Sequence, residues 1–310
     1  MKVFYGIDRL PSFEKPVLSI GTFDGVHQGH QSILQSVVNE AKAINGTSVL
    51  ITFEPHPRKL IFPDEPLKLL CTLEERLALV ANAQIDVVVV VPFTKEFAAL
   101  SAEKYISNFL VAQFRPFLII IGYDHRFGQD RTGDITMLRS YAHQYQYELK
   151  EISAHLILAA AVSSTKVRNL LLEGNVSAAH EMLGAAYSIS GKVIRGAQRG
   201  RTIGFPTANI ALPDIDKLVP KMGVYAVTIL IKDHWYKGML NLGYNPTVVT
   251  DNEVKIEVHL FDFHQDIYDQ ELKVCFISRL RNEQKFESIE ALKSQLHQDK
   301  VAAMAALSNL

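Results

Sequence analysis

The first half of the chain alternates short apolar runs with amphipathic stretches. PVLSIGTF (16–23), TSVLITF (47–53), DVVVVVPF (86–93), PFLIIIG (116–122) and the stretch 147–152 read as strands. Between them, QSILQSVVNEAKAI (31–44) and segments near 73–82, 102–113, 134–145 and 164–184 read as helices. IDVVVVVP and FLIIIG are apolar almost without a break, where a half-exposed strand would alternate. Strands covered by helices on both faces have that signature, so the pattern predicts an α/β fold with a doubly wound, Rossmann-like parallel sheet.

The texture changes after about residue 185. YSISGKVIRG (187–196), GVYAVTILI (223–231), WYKGMLNLG (235–243), VKIEVHLFD (254–262) and ELKVCFISRL (271–280) follow one another through turn-forming Gly, Asp, Asn and Pro, with no helix between them. This predicts an antiparallel sheet or small β-barrel, with a terminal helix over roughly 288–307 that packs against it. The expected division is therefore 1–185 and 186–310.

Composition narrows the class. With 310 residues, 48% of them hydrophobic, there is material for two cores. Net charge is −1, from 32 Lys+Arg against 33 Asp+Glu, which gives no footing for general nucleic-acid or membrane-surface binding. Cys71 and Cys275 fit no metal spacing and read as reduced core residues. The N-terminal stretch lacks a signal-peptide core, and no run approaches the ~18 apolar residues of a membrane span. A cytoplasmic chain, monomeric or weakly homo-oligomeric, is expected.

The candidate chemistry begins at GTFDGVHQGH (21–30), where a strand gives way to a helix. Gly21, Gly25 and Gly29 leave backbone N–H groups accessible at a helix N-terminus, which attracts anions. His27 and His30 are spaced to point the same way over one turn, and two imidazoles there can hold phosphate oxygens and developing charge. Three other readings stay open on the residues alone. The pair can be a helix cap plus a surface residue, or metal ligands with His56 and Asp24. The turn can also belong to a dinucleotide fold, although GxGxxG spacing is absent.

Other stretches add to this. Ser163, Ser164, Thr165 and Arg168 lie at a loop-to-helix junction that can be a second anion site or a plain N-cap. In GRTIGFPTANI (200–210), Thr207 and Asn209 offer oxygen ligands suited to Mg²⁺, or form an ordinary capped turn. Alternation along KIEVHLFDF places Lys255, Glu257 and His259 on one strand face, where Glu257 is a general-base candidate or a surface glutamate.

Taken together, GTFDGVHQGH resembles the HxGH motif of the nucleotidyltransferase superfamily in its flavin-specific form. TFEPHPRKL (52–60), GYDHRFGQDRTGD (122–134), SSTKVRNLLLEGNV (163–176), the PTAN segment, EVHLFDF and NLGYNPT (241–247) follow in the order of the bifunctional riboflavin kinase/FAD synthetase family. The resemblance spans essentially the whole chain.

It implies two reactions, riboflavin + ATP → FMN in the second part and FMN + ATP → FAD + pyrophosphate in the first, with Mg²⁺ as cofactor. Riboflavin, FMN and ATP are the implied partners. His27, His30 and Arg168 become catalytic candidates of the first reaction. Gly21, Phe23, Asp24, Gly25, Gly29, Ser163, Ser164 and Thr165 become its ATP-binding candidates, and Asp124 and Phe127 its flavin contacts. In the second part the resemblance implies Gly200, Arg201, Gly204 and Pro206 for ATP, Thr207 and Asn209 for the metal and Glu257 as base. Arg281, Glu283 and Phe286 are implied on the flavin side. The rivals are a single-activity adenylyltransferase and a flavin-binding module without catalysis, both of which predict degraded motifs.

Overall fold

The computed structural model describes residues 1–152, 162–196, 199–244 and 254–308. Two compact units divide at Ser164/Thr165.

The first unit is built on six parallel strands in the order β1-β4-β3-β2-β5-β6: β1 (Lys2–Tyr5), β2 (Val17–Ile20), β3 (Ser48–Glu54), β4 (Val87–Pro92), β5 (Leu118–Gly122) and β6 (Glu148–Ile152). The unbroken apolar runs are explained by the two faces of this sheet. Leu18, Val49, Ile51, Val89 and Ile119 face a core with Ile106, Phe109, Phe114 and Leu138. Val17, Leu50, Val88, Val90 and Ile120 face a second core with Leu34, Val37 and Val38 of α1 (Gln28–Ala43) and Val80 of α2 (Leu73–Asn82). The expected doubly wound sheet is therefore present, with one strand more than the apolar runs suggested. That strand is β1, four residues with the outer two exposed and the inner two half-buried, paired to β4 at the sheet edge.

The expected helix near 102–113 is present but wound unevenly, its middle turn Tyr105–Val111 being π-helical. The helix expected over 164–184 is two helices, Ser164–Glu173 (α4) and Val176–Leu183 (α5), following α3 (Ile135–Tyr145). Gly174, at φ +85°, breaks the run, and Asn175 caps the second helix by accepting from Ala178 N at 3.1 Å.

The second unit is a closed six-stranded barrel in the order β10-β11-β8-β7-β12-β9. Its strands are β7 (Ser188–Ile194), β8 (Ala208–Ala211), β9 (Gly223–Ile231), β10 (His234–Tyr244), β11 (Val254–Leu260) and β12 (Glu271–Arg281). All neighbours are antiparallel, and closure leaves no open edge. The terminal helix α6 (Ile289–Ala306) lies on β9, β10 and β12, where Ala303 and Leu307 pack with Phe205, Met239 and Phe261. β8, absent from the sequence-level pattern, is the strand formed by the PTAN segment itself.

Candidate active sites

β2 is where the first sheet changes direction. Its chain continues to β3 on one side, while β5 pairs with it on the other. Ligands of open α/β sheets bind beyond the carboxyl ends of the strands at such a switch. The GTFDGVHQGH turn leaves β2 there, and GYDHRFG leaves β5 beside it.

The turn is tightly constrained. Phe23, Gly25 and Val26 all have positive φ, and a Cβ at Gly25 would lie 2.7 Å from Leu70 Cδ1. Gly21 N donates to Ile51 O, carrying the ladder one step past the strand. His27 is the N-cap of α1, its Nδ1 accepting from His30 N at 3.3 Å, so the cap reading holds for this residue. The amide of His30, expected to be open to an anion, is thereby partly used. With Nδ1 accepting, the neutral His27 ring carries its proton on Nε2.

His30 stacks on His27, with ring centroids 3.7 Å apart and planes 15° apart, and Phe23 lies 4.8 Å away on the same imidazole. Burial, with a smaller contribution from the adjacent His27 ring, holds the His30 pKa well below the usual histidine value. Its Nδ1 is buried without a hydrogen-bond partner. A neutral imidazole with an unused nitrogen is suited to meet a ligand oxygen, which would restore the missing hydrogen bond.

Three side chains hold this turn, and for none of them did the sequence show these contacts. Asp24 is 2% exposed, and its carboxylate accepts from the backbone N of Leu70 and Cys71 at 3.0 and 3.1 Å, a commitment beyond the ATP contact expected of it. The Cys71 thiol, buried as expected, accepts from Gly25 N at 3.1 Å. Arg76, 4% exposed on α2, donates to Thr22 O at 2.7 Å and to Phe53 O at 3.3 Å, and pairs with Glu54 at 2.6 Å. One guanidinium thus ties together the exits of β2 and β3. Its sole sequence signal is a charge on the apolar face of α2.

Ser164 Oγ donates to Asp24 O at 2.9 Å, joining the SST segment to the turn, while Ser163 is exposed. Gly29 is buried in the first turn of α1. Thr165 is exposed and Arg168 half-buried on α4, in the second packing unit. His56, 7% exposed, caps the short helix Pro57–Ile61 through Arg58 N. No group of three metal-ligating side chains occurs among the described residues.

In GYDHRFG, Asp124 is exposed, but Phe127 is 5% exposed and stacks on Tyr105 at 4.8 Å. The ring expected at a flavin thus packs into the core beneath the loop. His125 Nε2 is buried without a partner, and burial pushes its pKa down to about 4.

In the second unit, β8 presents PTAN beside β11, with Asn209 directly across from Glu257 and Ala208 from Val258. On the other side of β11, Glu257 faces Asn241. Asn209 is 9% exposed, and its amide fills the space a Cβ at Gly196 would take. His259 Nδ1–H donates to Pro206 O at 2.7 Å, pinning the turn before Thr207, and burial lowers its pKa.

A cavity of about 350 Å³ brings together Gly200, Thr207, Asn241, Lys255, Glu257, His259, Arg281, Glu283, Phe286 and Asp299. The expected face of Lys255, Glu257 and His259 is therefore the cavity face. Lys255 Nζ lies 2.9 Å from Glu257 Oε1. Gly200 accepts from Phe205 N in a turn that exposes Gly204 and Pro206. Arg201 lies in the helical turn Arg199–Thr202. Residues 197–198 of the expected covering loop and 245–247 of NLGYNPT lie outside the described residues.

The chain thus carries two separate candidate sites, one at a sheet switch and one in a barrel wall, the layout of a two-domain enzyme. Comparison with known proteins makes this specific. The FAD synthetase family model matches residues 10–166, and the riboflavin kinase model matches 183–307. A bifunctional riboflavin kinase/FMN adenylyltransferase of Escherichia coli K12 is 37% identical over 98% of this chain and 97% of its own. Its counterpart in Listeria monocytogenes is 36% identical over 95% and 93%. A crystal structure described as a macrolide-efflux protein from Streptococcus pneumoniae superposes with a TM-score of 0.86 at 29% identity, over 98% and 99% of the two chains. Among the described residues of this chain no helix is long and apolar enough to cross a membrane.

The chain belongs to the bifunctional riboflavin kinase/FMN adenylyltransferase family. It phosphorylates riboflavin to FMN with ATP, and adenylylates FMN with ATP to FAD and pyrophosphate.

Proposed function

We propose the following division of labour among the residues. In the first unit, His27 and His30 bind ATP phosphate oxygens and stabilise the charge that builds at the α-phosphorus as an FMN phosphate oxygen attacks it. Gly21, Phe23, Gly25 and Gly29 shape the turn for close approach, and Asp24 fixes it through Leu70 and Cys71. Ser163 and Ser164 extend the anion site from the other side of the turn. The phosphate role of Thr165 and Arg168 rests on the SSTKVR resemblance. Asp124 is the polar flavin-side contact, and Phe127 supports its loop from below. The observation that carries this reading is the stacked His27–His30 pair at the exit of β2, beside the sheet switch.

In the second unit Glu257 accepts the proton of the riboflavin terminal hydroxyl as that oxygen attacks the γ-phosphorus of ATP, and ADP leaves. Lys255, 2.9 Å from Glu257 Oε1, holds the carboxylate in place on the cavity face. Thr207 and Asn209 fit a Mg²⁺ ion: they offer a hydroxyl and an amide oxygen, and the Asn209 amide is seated directly across from Glu257. When bound, the ion would neutralise phosphate charge. Gly200, Arg201, Gly204 and Pro206 form the turn against the nucleotide, and Arg281, Glu283 and Phe286 meet the flavin. The catalytic division is placed at 185/186, although α4 and α5 pack with the barrel. We place both reactions in the cytoplasm, where ATP is supplied.

Chromatographic tracking of riboflavin, FMN and FAD in Mg-ATP tests this division. His30→Ala is expected to accumulate FMN, and Glu257→Ala to leave riboflavin unreacted while still converting added FMN to FAD.

A further inference from the structure

Asp299 stands in the middle third of α6, where a charged residue would ordinarily face water, yet it is 3% exposed. Its two carboxylate oxygens take a fork from one guanidinium: Arg281 Nε donates to Oδ1 at 2.8 Å and Nη2 to Oδ2 at 2.7 Å. Gln295, one helical turn earlier, donates to Oδ1 at 2.9 Å. The third nitrogen of Arg281, Nη1, donates to Asn282 O at 2.9 Å. Every nitrogen of the guanidinium is therefore held, and its plane is set. That plane lies over the Phe286 ring, 5.8 Å from its centroid.

A buried ion pair is a weak device for stability alone, because two apolar residues of the same volume do as well or better. What a two-point fork supplies is orientation of a planar cation. Here the oriented cation, its anchor and the aromatic ring line the same cavity as Glu257 and Thr207. Arg281 is the last residue of β12, so its backbone is fixed by the barrel, while Asp299 arrives from a different element. The pair thus locks the terminal helix to the cavity wall at the side chains assigned to the flavin.

We propose that Asp299 is a positioning residue for riboflavin phosphorylation. It holds the Arg281 guanidinium in the plane that, with Phe286, seats the planar flavin ring system so that the sugar-alcohol chain reaches Glu257. This rests on the reading of Arg281 as a flavin-side residue. Asp299 acts through Arg281, with both of its oxygens committed to that guanidinium, so its effect falls on riboflavin binding.

The test is steady-state kinetics of riboflavin phosphorylation in the full-length protein, with FAD formation from added FMN as internal control. Asp299→Asn keeps the volume but can accept only one of the two Arg281 donors. It is expected to raise the riboflavin KM about tenfold or more, the scale on which small misplacements are felt. The ATP KM and FAD formation are expected to stay near wild type, while loss of the buried pair lowers the unfolding temperature of the second unit. Asp299→Glu retains charge and folding drive but displaces the fork, and is expected to show the same split.

Arg281→Lys is expected to raise the riboflavin KM as well, and the Arg281→Lys/Asp299→Asn double variant to be no worse than Arg281→Lys alone. A raised riboflavin KM in Arg281→Lys with unchanged values in both Asp299 variants would overturn the positioning role while leaving Arg281 on the flavin side. An unchanged KM in Arg281→Lys would overturn the reading of Arg281 itself. Equal rises in the riboflavin and ATP KM values of Asp299→Glu, with a lowered unfolding temperature, would show a merely structural pair.

Discussion

Asn209 and Glu257 are register partners on neighbouring antiparallel strands, β8 and β11, so the amide and the carboxylate stand side by side on one wall of the barrel. The PTAN segment is therefore a strand as well as a motif: pairing with β11 fixes how far the amide of Asn209 lies from the carboxylate. Glu257→Gln keeps this register and the shape of the cavity but removes the proton acceptor. Riboflavin phosphorylation is expected to fall by roughly 10²–10⁴-fold, the usual contribution of a positioned base. FAD formation from added FMN should be untouched. Full kinase activity in Glu257→Gln would remove it as the base.

Gly196 offers an independent check on the same amide. A side chain at 196 would collide with Asn209, so Gly196→Ala must push the amide away from Glu257. The expected outcome is loss of phosphorylation with little change in unfolding temperature, measured by kinase assay and calorimetry on the same sample.

The first unit should be sensitive to acid. Burial lowers the pKa of His30, and pushes that of His125 from 6.5 down to about 4. In the unfolded chain both imidazoles take up protons near pH 6.5, whereas the folded form keeps them neutral. The unfolded state then binds more protons, so stability is complete above about pH 6.5 and declines as pH falls towards 4. The slope is at most about 1.4 kcal/mol per pH unit for each histidine. Urea midpoints at pH 7.5 and pH 5 measure it, and His125→Phe should shrink the difference between them. Equal midpoints in the wild type would contradict the buried neutral state.

Arg76 is predicted to matter more for the fold around the first site than its place on a helix suggests. Arg76→Met removes the guanidinium bonds to Thr22 O and Phe53 O, leaving Thr22 O only Thr52 Oγ1, and leaves Glu54 without its cation. Because Glu54 is a third exposed, the cost is discounted to roughly 2–3 kcal/mol, below that of breaking a fully buried pair. The first unit should unfold at lower denaturant and FAD synthesis should drop, while phosphorylation of riboflavin in the second unit persists.

Elements with a strong local period could be read directly from the sequence. GVYAVTILI occupies 223–231 in both the pattern and the structure, and the apolar runs of β4 and β5 revealed a sheet covered on both faces. What was missed depends on partners far along the chain. KVFY becomes a strand because Val87–Val90 lies beside it, and ANIA because β7 and β11 flank it. Asp24 looked like an ATP contact, since nothing local reveals the amides of Leu70 and Cys71, 46 and 47 residues away, that its carboxylate accepts. Phe127 looked like a flavin contact for the same reason, its stacking partner Tyr105 coming from another helix. The division of 164–184 into two helices was within reach, since Gly174–Asn175 is a stop followed by a cap.

The placement of the adenylyl-transfer site is tested most directly by a crystal structure of the protein with a non-hydrolysable ATP analogue, in which CH₂ replaces the oxygen between the α- and β-phosphorus. The triphosphate is expected at the N-terminus of α1, with a phosphate oxygen within hydrogen-bonding distance of the stacked His27–His30 pair. A triphosphate bound to the first unit away from the exit of β2 would contradict the account.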